Sequence, residues 1–313
     1  MKRDFDNLLR WFTENDGTYK IDILEENNEC KSFFKEDIDE SKLVVTCPLK
    51  LMITLEDLKN YLDDNLINSL SKSVQLGLLL YFYEKTNNKK FKNYLDCLPS
   101  NLSHIPFLWN KKELILIKNS SFYEDFISHK IKFDENYNKL KEDNIIDCDI
   151  TKFYWYVCLA LSRNFSFYYN QNKKYSLVPI ADLIDHSNEP NCIWIYNNLY
   201  DRFEIRTLKN CKKGEEVLIS YGNNKEDKSF LLFYGFNPQV NDRLFLNSEK
   251  KYLDEIEKNN EKIKKLVSNK LSRFSTTLEE DKELLKKSKN LNEKNAYLIL
   301  IYEKEKLIKY LNE

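Results

Sequence analysis

The chain has 313 residues, 32% of them charged, yet Lys+Arg 49 against Asp+Glu 50 leave a formal net charge of only -1. That balance carries none of the strongly basic footprint of a nucleic-acid binder, while the length allows a substantial core and more than one domain. The longest apolar stretches, such as residues 78–82, are far too short to span a bilayer.

Residues 4–16 place Phe5, Leu8, Leu9 and Phe12 on a helical stripe that ends at Asp16-Gly17, a helix-stop signal. In 32–54 the pattern changes. Phe33-Phe34, Leu43-Val44-Val45 and Leu51-Met52-Ile53 read as short strands, with Asp37–Ser41 and Cys47-Pro48 as turns. Thr54 with Asp57 resembles a capping box, so a helix is expected to start there. From 55 to about 170 the chain reads as mainly helical: Leu66, Ile67, Leu70, Val74, Leu78 and Tyr81 recur at three and four, as do Trp155, Cys158, Leu159 and Ser162. Tyr94–Ser100 interrupts this as a helix end running into a loop with His104, Pro106 and Trp109. Strands are expected again over 177–222. Charged helices follow from 247, with Leu253, Ile256, Ile263 and Leu266 on one stripe, and a last helix runs over about 291–311.

Seven cysteines (Cys30, Cys47, Cys97, Cys148, Cys158, Cys192 and Cys211) are scattered, odd in number and never spaced as CxxC. This argues against a disulfide framework and a structural zinc cluster, and fits a reducing intracellular compartment, cytoplasmic or nuclear. The N-terminus lacks the apolar segment of a secretory signal. His104, His129 and His186 are too few and too separated to make a metal site, so no metal is expected.

Three of the five glycines, Gly214, Gly222 and Gly235, fall within 22 residues. A chain this poor in glycine keeps one where the backbone needs positive φ or a close approach. Lys213-Gly214 reads as a turn into a strand over Glu216–Ser220, which Tyr221-Gly222 ends, placing a phenol where the backbone turns. Some 35 residues earlier, Leu177–Asn191 is an apolar stretch closing in a polar cluster. A site is expected where these two segments meet.

Several short segments, in order and spacing, resemble the SET-domain protein methyltransferases of the Rubisco large-subunit lysine methyltransferase type. That group also includes fungal ribosomal-protein lysine methyltransferases and the actin-histidine methyltransferase. The segments are Leu8–Trp11, Leu51–Thr54, Leu98-Pro99 with Pro106-Phe107, and Ser162-Arg163-Asn164-Phe165. Asp182–Ser187, Tyr221-Gly222, Tyr234-Gly235-Phe236 and Asn241-Asp242 complete the set. The resemblance implies an α+β fold, with a β-rich SET core over 1–238 interrupted by a helical insert at about 55–150. A short helical substrate-binding-like region over 239–313 would follow.

It further implies an intracellular protein-lysine N-methyltransferase that uses S-adenosyl-L-methionine and acts on a non-histone protein through a lysine acceptor. No nucleic acid or membrane partner is implied, and ribosomal or translation proteins are family-level candidates. In-line methyl transfer rests mainly on alignment, an orientation effect that supplies roughly 7–11 kcal/mol. Tyr221 would be the catalytic phenol and would also touch the cofactor. Arg163 would hold the cofactor's carboxylate, since a guanidinium offers a bidentate match. Asp185 and His186 would contact its adenine end, His186 chiefly through its backbone, with Asp182 positioning that segment and Phe236 packing beside the cofactor. Phe165 and Tyr234 would line the acceptor channel, an aromatic at Phe165 resembling the lysine enzymes rather than the histidine-specific relative. Glu29 and Cys30 fall where the family has a Gly-x-Gly beside the cofactor, and Asp185 stands in the place of its asparagine. Two alternatives follow: a catalytically inactive SET module that binds a protein, or a protein-histidine methyltransferase.

Overall fold

Asp4 starts the first helix, α1 (Phe5–Glu14), by accepting from the Asn7 N–H, and the helix buries Leu8, Trp11 and Phe12. Its stop differs in detail from the sequence reading. Asp16 takes the positive φ of 69°, while Gly17 is needed because a Cβ there would lie 2.4 Å from the Phe12 ring. The computed structural model describes residues 3–26, 29–222, 227–237 and 260–312. The expected stripe positions Leu253 and Ile256, and the pair Asn241-Asp242, lie outside the described residues.

The strands are β1 (Thr18–Tyr19), β2 (Ile21–Glu26), β3 (Glu29–Phe34), β4 (Leu43–Pro48), β5 (Ile53–Thr54) and β6 (Asn164–Tyr169). They continue as β7 (Asn172–Leu177), β8 (Asp185–His186), β9 (Cys192–Asn197), β10 (Arg202–Thr207) and β11 (Leu218–Ile219). They form four small sheets among the described residues: β1-β4-β10-β9, β2-β3, β5-β7-β6 and β11-β8. One face of β9 and β10 carries Trp194, Tyr196 and Phe203 against Phe165 and Phe167 of β6. Phe165 meets Phe203 at 4.8 Å between ring centroids, and Phe167 stacks on Tyr196 at 4.3 Å.

Between β5 and β6 lie α2 (Asp64–Ser69), α3 (Lys72–Lys85), α4 (Lys92–Leu95), α5 (Lys111–Leu116), α6 (Ser121–Glu142) and α7 (Ile150–Arg163). Later come α8 (Asp227–Tyr234), α9 (Asn260–Leu271), α10 (Leu278–Lys287) and α11 (Leu291–Asn312). This is the α+β fold expected: a β-rich core, a helical insert and helices at the C-terminal end. Two compact units emerge, residues 1–101 with 155–223, and residues 102–154 with 224–313. In the second unit the later part of the insert clusters with the C-terminal helices.

In the second unit, the Glu303 carboxylate of α11 accepts the Ser121 N–H at 2.9 and 3.1 Å, capping α6 from far along the chain. Lys304, 2% exposed, donates to Thr276 O at 2.6 Å and Thr276 Oγ1 at 3.0 Å, and ion-pairs with Asp281. Leu266 does not join a buried stripe: it is 44% exposed and Val267 is buried instead.

Local readings are corrected in four places. Leu51 ends a 3-10 turn over Leu49–Leu51, so the strand is only Ile53–Thr54. Cys47-Pro48 are not a turn but the end of β4, paired with Phe203 and Arg202. The helix after Thr54 is a 3-10 helix, Leu55–Asn60, with no side-chain cap from Thr54. Strand structure resumes at Asn164 rather than 177, as the β6–β7 hairpin turns through Asn170 and Gln171 at positive φ. All seven cysteines are free. Among the described residues no helix is long and apolar enough to cross a membrane.

Candidate active site

Leu177–Asn191 and Glu216–Tyr221 meet through the parallel pairing of β8 with β11, Leu218 opposite Asp185 and Ile219 opposite His186. The pairing continues as Ser187 N donates to Ile219 O at 2.9 Å. So short a parallel ladder needs other support, and it has it on both sides. Phe33 of β3 bridges Glu216, and Val217 N donates to Ser32 O at 2.7 Å. The buried Asn191 amide accepts from Leu218 N at 2.9 Å and donates to Glu216 O at 2.7 Å, standing in for a strand neighbour. Gly214, at φ 79°, makes the turn into this segment.

The consequence is local to Tyr221. Its phenol donates to Ile184 O at 2.8 Å, and its main-chain N–H donates to His186 Nδ1 at 3.1 Å. The two rings lie 5.3 Å apart between centroids. Because Nδ1 accepts, the tautomer assigned to a neutral His186 carries its proton on Nε2, which lies 3.3 Å from Asn188 Oδ1. Tyr221, His186 and Asp185 are each half-buried.

Behind them sits an ion pair. Arg163, at the end of α7, donates through Nη1 to Asp182 O at 3.0 Å and to Asp182 Oδ2 at 3.2 Å. The Asp182 side chain is 0% exposed and that of Arg163 16%. Tyr94 of α4 donates its buried phenol to the same Asp182 Oδ2 at 2.8 Å. Burial pulls the Arg163 pKa down, but the Asp182 charge and hydrogen bond, with the Tyr94 and Tyr221 phenols, together outweigh it and the guanidinium stays above its ordinary value. Burial raises the Asp182 pKa, with Arg163 and the Tyr94 hydrogen bond opposing. Asp182 Oδ1 is buried and has no hydrogen-bond partner among the described residues. Immediately before this turn Ile180, fully buried, takes φ 72°, a conformation rare for a β-branched residue.

Cys30, half-buried in β3 opposite Glu25, belongs to the same neighbourhood. Burial pushes its thiol up to about 11, with the Arg3 and Arg163 charges opposing and the Glu25 and Asp185 charges adding. Glu29 opens the strand, its backbone opposite Glu26. So the stretch Glu29–Lys31 forms an ordinary strand paired with β2. Phe165 is 8% exposed and lies edge-on to Trp194 at 5.4 Å. Trp194 in turn donates Nε1–H to Ser220 O at 3.2 Å, which leads directly to Tyr221. Tyr234 and Phe236 belong to the second unit, where they pack 6.2 Å apart and each against Phe230. Burial raises the Tyr234 phenol to about 12.

Cys30, Arg163, Asp182, Asp185, His186 and Tyr221 lie together in the first unit. Tyr94, Asn191 and Trp194 are additions. Asn191 closes the polar cluster singled out in the sequence, whereas nothing in the sequence marks Tyr94 or Trp194. Among the described residues no group of three His, Cys, Asp or Glu side chains is placed to hold a metal ion.

Residues 33–222 match the SET domain family and residues 237–307 the family described as Rubisco LSMT substrate-binding. The chain is 26% identical over 222 residues to the chloroplastic ribulose-1,5 bisphosphate carboxylase/oxygenase large subunit N-methyltransferase of Nicotiana tabacum, covering 64% of this chain and 44% of that one. It is 27% identical over 226 residues to the [fructose-bisphosphate aldolase]-lysine N-methyltransferase of Arabidopsis thaliana, covering 66% and 46%. Against the actin-histidine N-methyltransferase of Homo sapiens the identity is 23% over 258 residues, covering 74% and 42%. The matches thus span under half the length of these relatives. Among solved structures, the SET domain of LSMT bound to lysine and AdoHcy superposes with a TM-score of 0.81 at 17% identity, covering 100% of this chain and 91% of that one.

Proposed function

Since the chain belongs to the SET-domain family, whose model spans residues 33–222 of its 313, we propose that it is an intracellular, S-adenosylmethionine-dependent protein-lysine N-methyltransferase acting on a non-histone protein. The observation that carries this reading is the β8–β11 pairing, which fixes the Tyr221 phenol on Ile184 O and its N–H on His186. A phenol held in place by a main-chain carbonyl orients an acceptor amine without competing for the methyl group.

The residues present fit the cofactor. Only Nη1 of Arg163 is engaged among the described residues, which leaves N–H donors for a carboxylate. Asp182 Oδ1 is a buried acceptor without a donor among the described residues, and Asp185 and His186 follow three and four positions on. When bound, S-adenosylmethionine supplies an electrophilic methyl group on a sulfonium. Arg163 would hold the polar end of the cofactor with Asp182 behind it, Asp185 and His186 would meet its adenine end, and Tyr221 would align the acceptor. A lysine acceptor must arrive without its proton, because two cations repel and the protonated amine has no free electron pair.

In this reading Phe165 borders the acceptor channel and the region from 239 on docks the substrate protein. Its likeness to a Rubisco LSMT substrate-binding family supports the last point. Seven free thiols support an intracellular setting. A ribosomal or translation protein is the substrate class put forward.

Titration calorimetry with S-adenosylmethionine and with its demethylated product tests the reading. Micromolar binding of both is expected. A folded sample that binds neither would overturn it and leave the inactive protein-binding module, with the Glu29–Lys31 strand as the cause.

A further inference from the structure

The geometry points to Tyr94 as a positioning residue through which the helical insert sets the cofactor-binding turn, an inference that rests on the methyltransferase reading above. Tyr94 lies 88 residues before Asp182, on the short helix α4, and is 1% exposed. Its Oη–H donates to Asp182 Oδ2 at 2.8 Å, the oxygen that also accepts from Arg163 Nη1. Arg163 Nη1 binds Asp182 O as well, so the residue is held by main chain and side chain together.

The turn that Asp182 anchors has reason to need holding. Ile180 enters it at φ 72°, and such a conformation persists only where surrounding contacts fix it. Two residues after Asp182, Ile184 O accepts the Tyr221 phenol; next come Asp185 and His186, which pair with β11. A continuous path therefore runs from Tyr94 through Asp182 to the groups assigned to cofactor and acceptor. Asp182 is faced by Arg163 from α7, Tyr94 from α4 and the neutral Cys47 thiol from β4. Arg163, the Tyr94 hydroxyl and a main-chain hydrogen bond at Asp182 itself favour its ionised form.

Tyr94→Phe keeps the ring and removes the donor. Its affinity for S-adenosylmethionine by calorimetry is expected to fall roughly tenfold at about pH 7, as loss of a hydrogen bond to a buried charge does. The ratio of wild-type to variant affinity cancels the ligand's own ionisation. That ratio is expected to grow as pH falls, since Asp182 without Tyr94 takes up a proton more readily. Tyr83→Phe is the matched control: Tyr83 is also a buried insert tyrosine, donating to Asp57 Oδ2 at 2.6 Å, and its loss is expected to leave cofactor affinity unchanged. In an Asp182→Asn background, Tyr94→Phe is expected to add less than about twofold, because the link runs through the carboxylate.

Equal affinity of wild type and Tyr94→Phe at every pH overturns the positioning role alone. So does a ratio flat with pH, or an equal loss in Tyr83→Phe, either of which marks a merely structural tyrosine. A wild type that binds no S-adenosylmethionine instead overturns the methyltransferase reading, and this inference with it.

Discussion

Removing the Tyr221 hydroxyl separates its catalytic part from its structural one. In Tyr221→Phe the ring stays against His186, and the main-chain N–H bond to Nδ1 is untouched because it does not involve the side chain. What goes is the donor to Ile184 O at 2.8 Å. A neutral hydrogen bond of that kind contributes about 1 kcal/mol to stability, so the urea midpoint is expected to drop slightly. Cofactor affinity is expected to stay within about threefold, since one such bond at most is disturbed. Turnover is another matter. Loss of one preorganised group at a reacting centre typically lowers kcat by about 10²–10³-fold. The assay is initial-rate labelled-methyl transfer at saturating cofactor, with calorimetry on the same samples. Unchanged turnover would remove Tyr221 from the mechanism. A rate loss matched by an equal loss of cofactor affinity would make Tyr221 a binding residue only.

Phe165→Asn is expected to lower lysine transfer and raise histidine transfer in paired peptide assays, and unaffected lysine transfer would refute the channel role. Since Phe165 packs against Trp194 and Phe203, the same change is expected to cost about 3 kcal/mol of stability, so the assay is run well below the melting point. Glu204, fully buried on β10, is bound by Arg202 at 2.7 Å and Arg206 at 2.8 Å. Burial raises its pKa, but the two arginines outweigh it and hold the carboxyl below its ordinary value of 4.5. Its stabilisation is therefore present above that value and lost as pH falls through the lower folded one. Glu204→Gln is expected to cost about 2 kcal/mol in urea unfolding at neutral pH, a gap that closes on acidification; a gap constant with pH contradicts this. Lys304→Ala leaves Asp281 buried without its cation and is expected to cost about 3–5 kcal/mol, with a loss under about 1 kcal/mol refuting the pair's role.

Much of this architecture was legible because its signals are local. The α1 stripe, the opening Leu43–Val45 of the fourth strand and the final helix follow from periodicity and turn residues read a few positions at a time. The β6–β7 hairpin was hidden for the opposite reason. Its turn is Asn170-Gln171, which adopts positive φ without the glycine that normally announces it, and aromatic residues carry on straight from α7. In the site, Tyr221 and His186 stand out beside glycine or in a dense polar cluster. Tyr94 and Trp194 carry no such mark: each is an ordinary aromatic whose partner lies 88 or 26 residues away. Only the folded chain shows that Tyr94 meets Asp182. The replacement of the expected glycines by Glu29–Lys31 also changes character once folded, because those residues form a regular strand opposite β2.

The most direct measurement is the chemical identity of the methylated residue. The protein is incubated with S-adenosylmethionine labelled in its methyl group and a protein mixture as acceptor, and the product is hydrolysed to amino acids. Labelled Nε-methyllysine, formed about 10²–10³-fold more slowly with Tyr221→Phe, is the expected result. Labelled methylhistidine would contradict the acceptor assignment, and cofactor binding with no transfer to any protein would contradict catalysis itself.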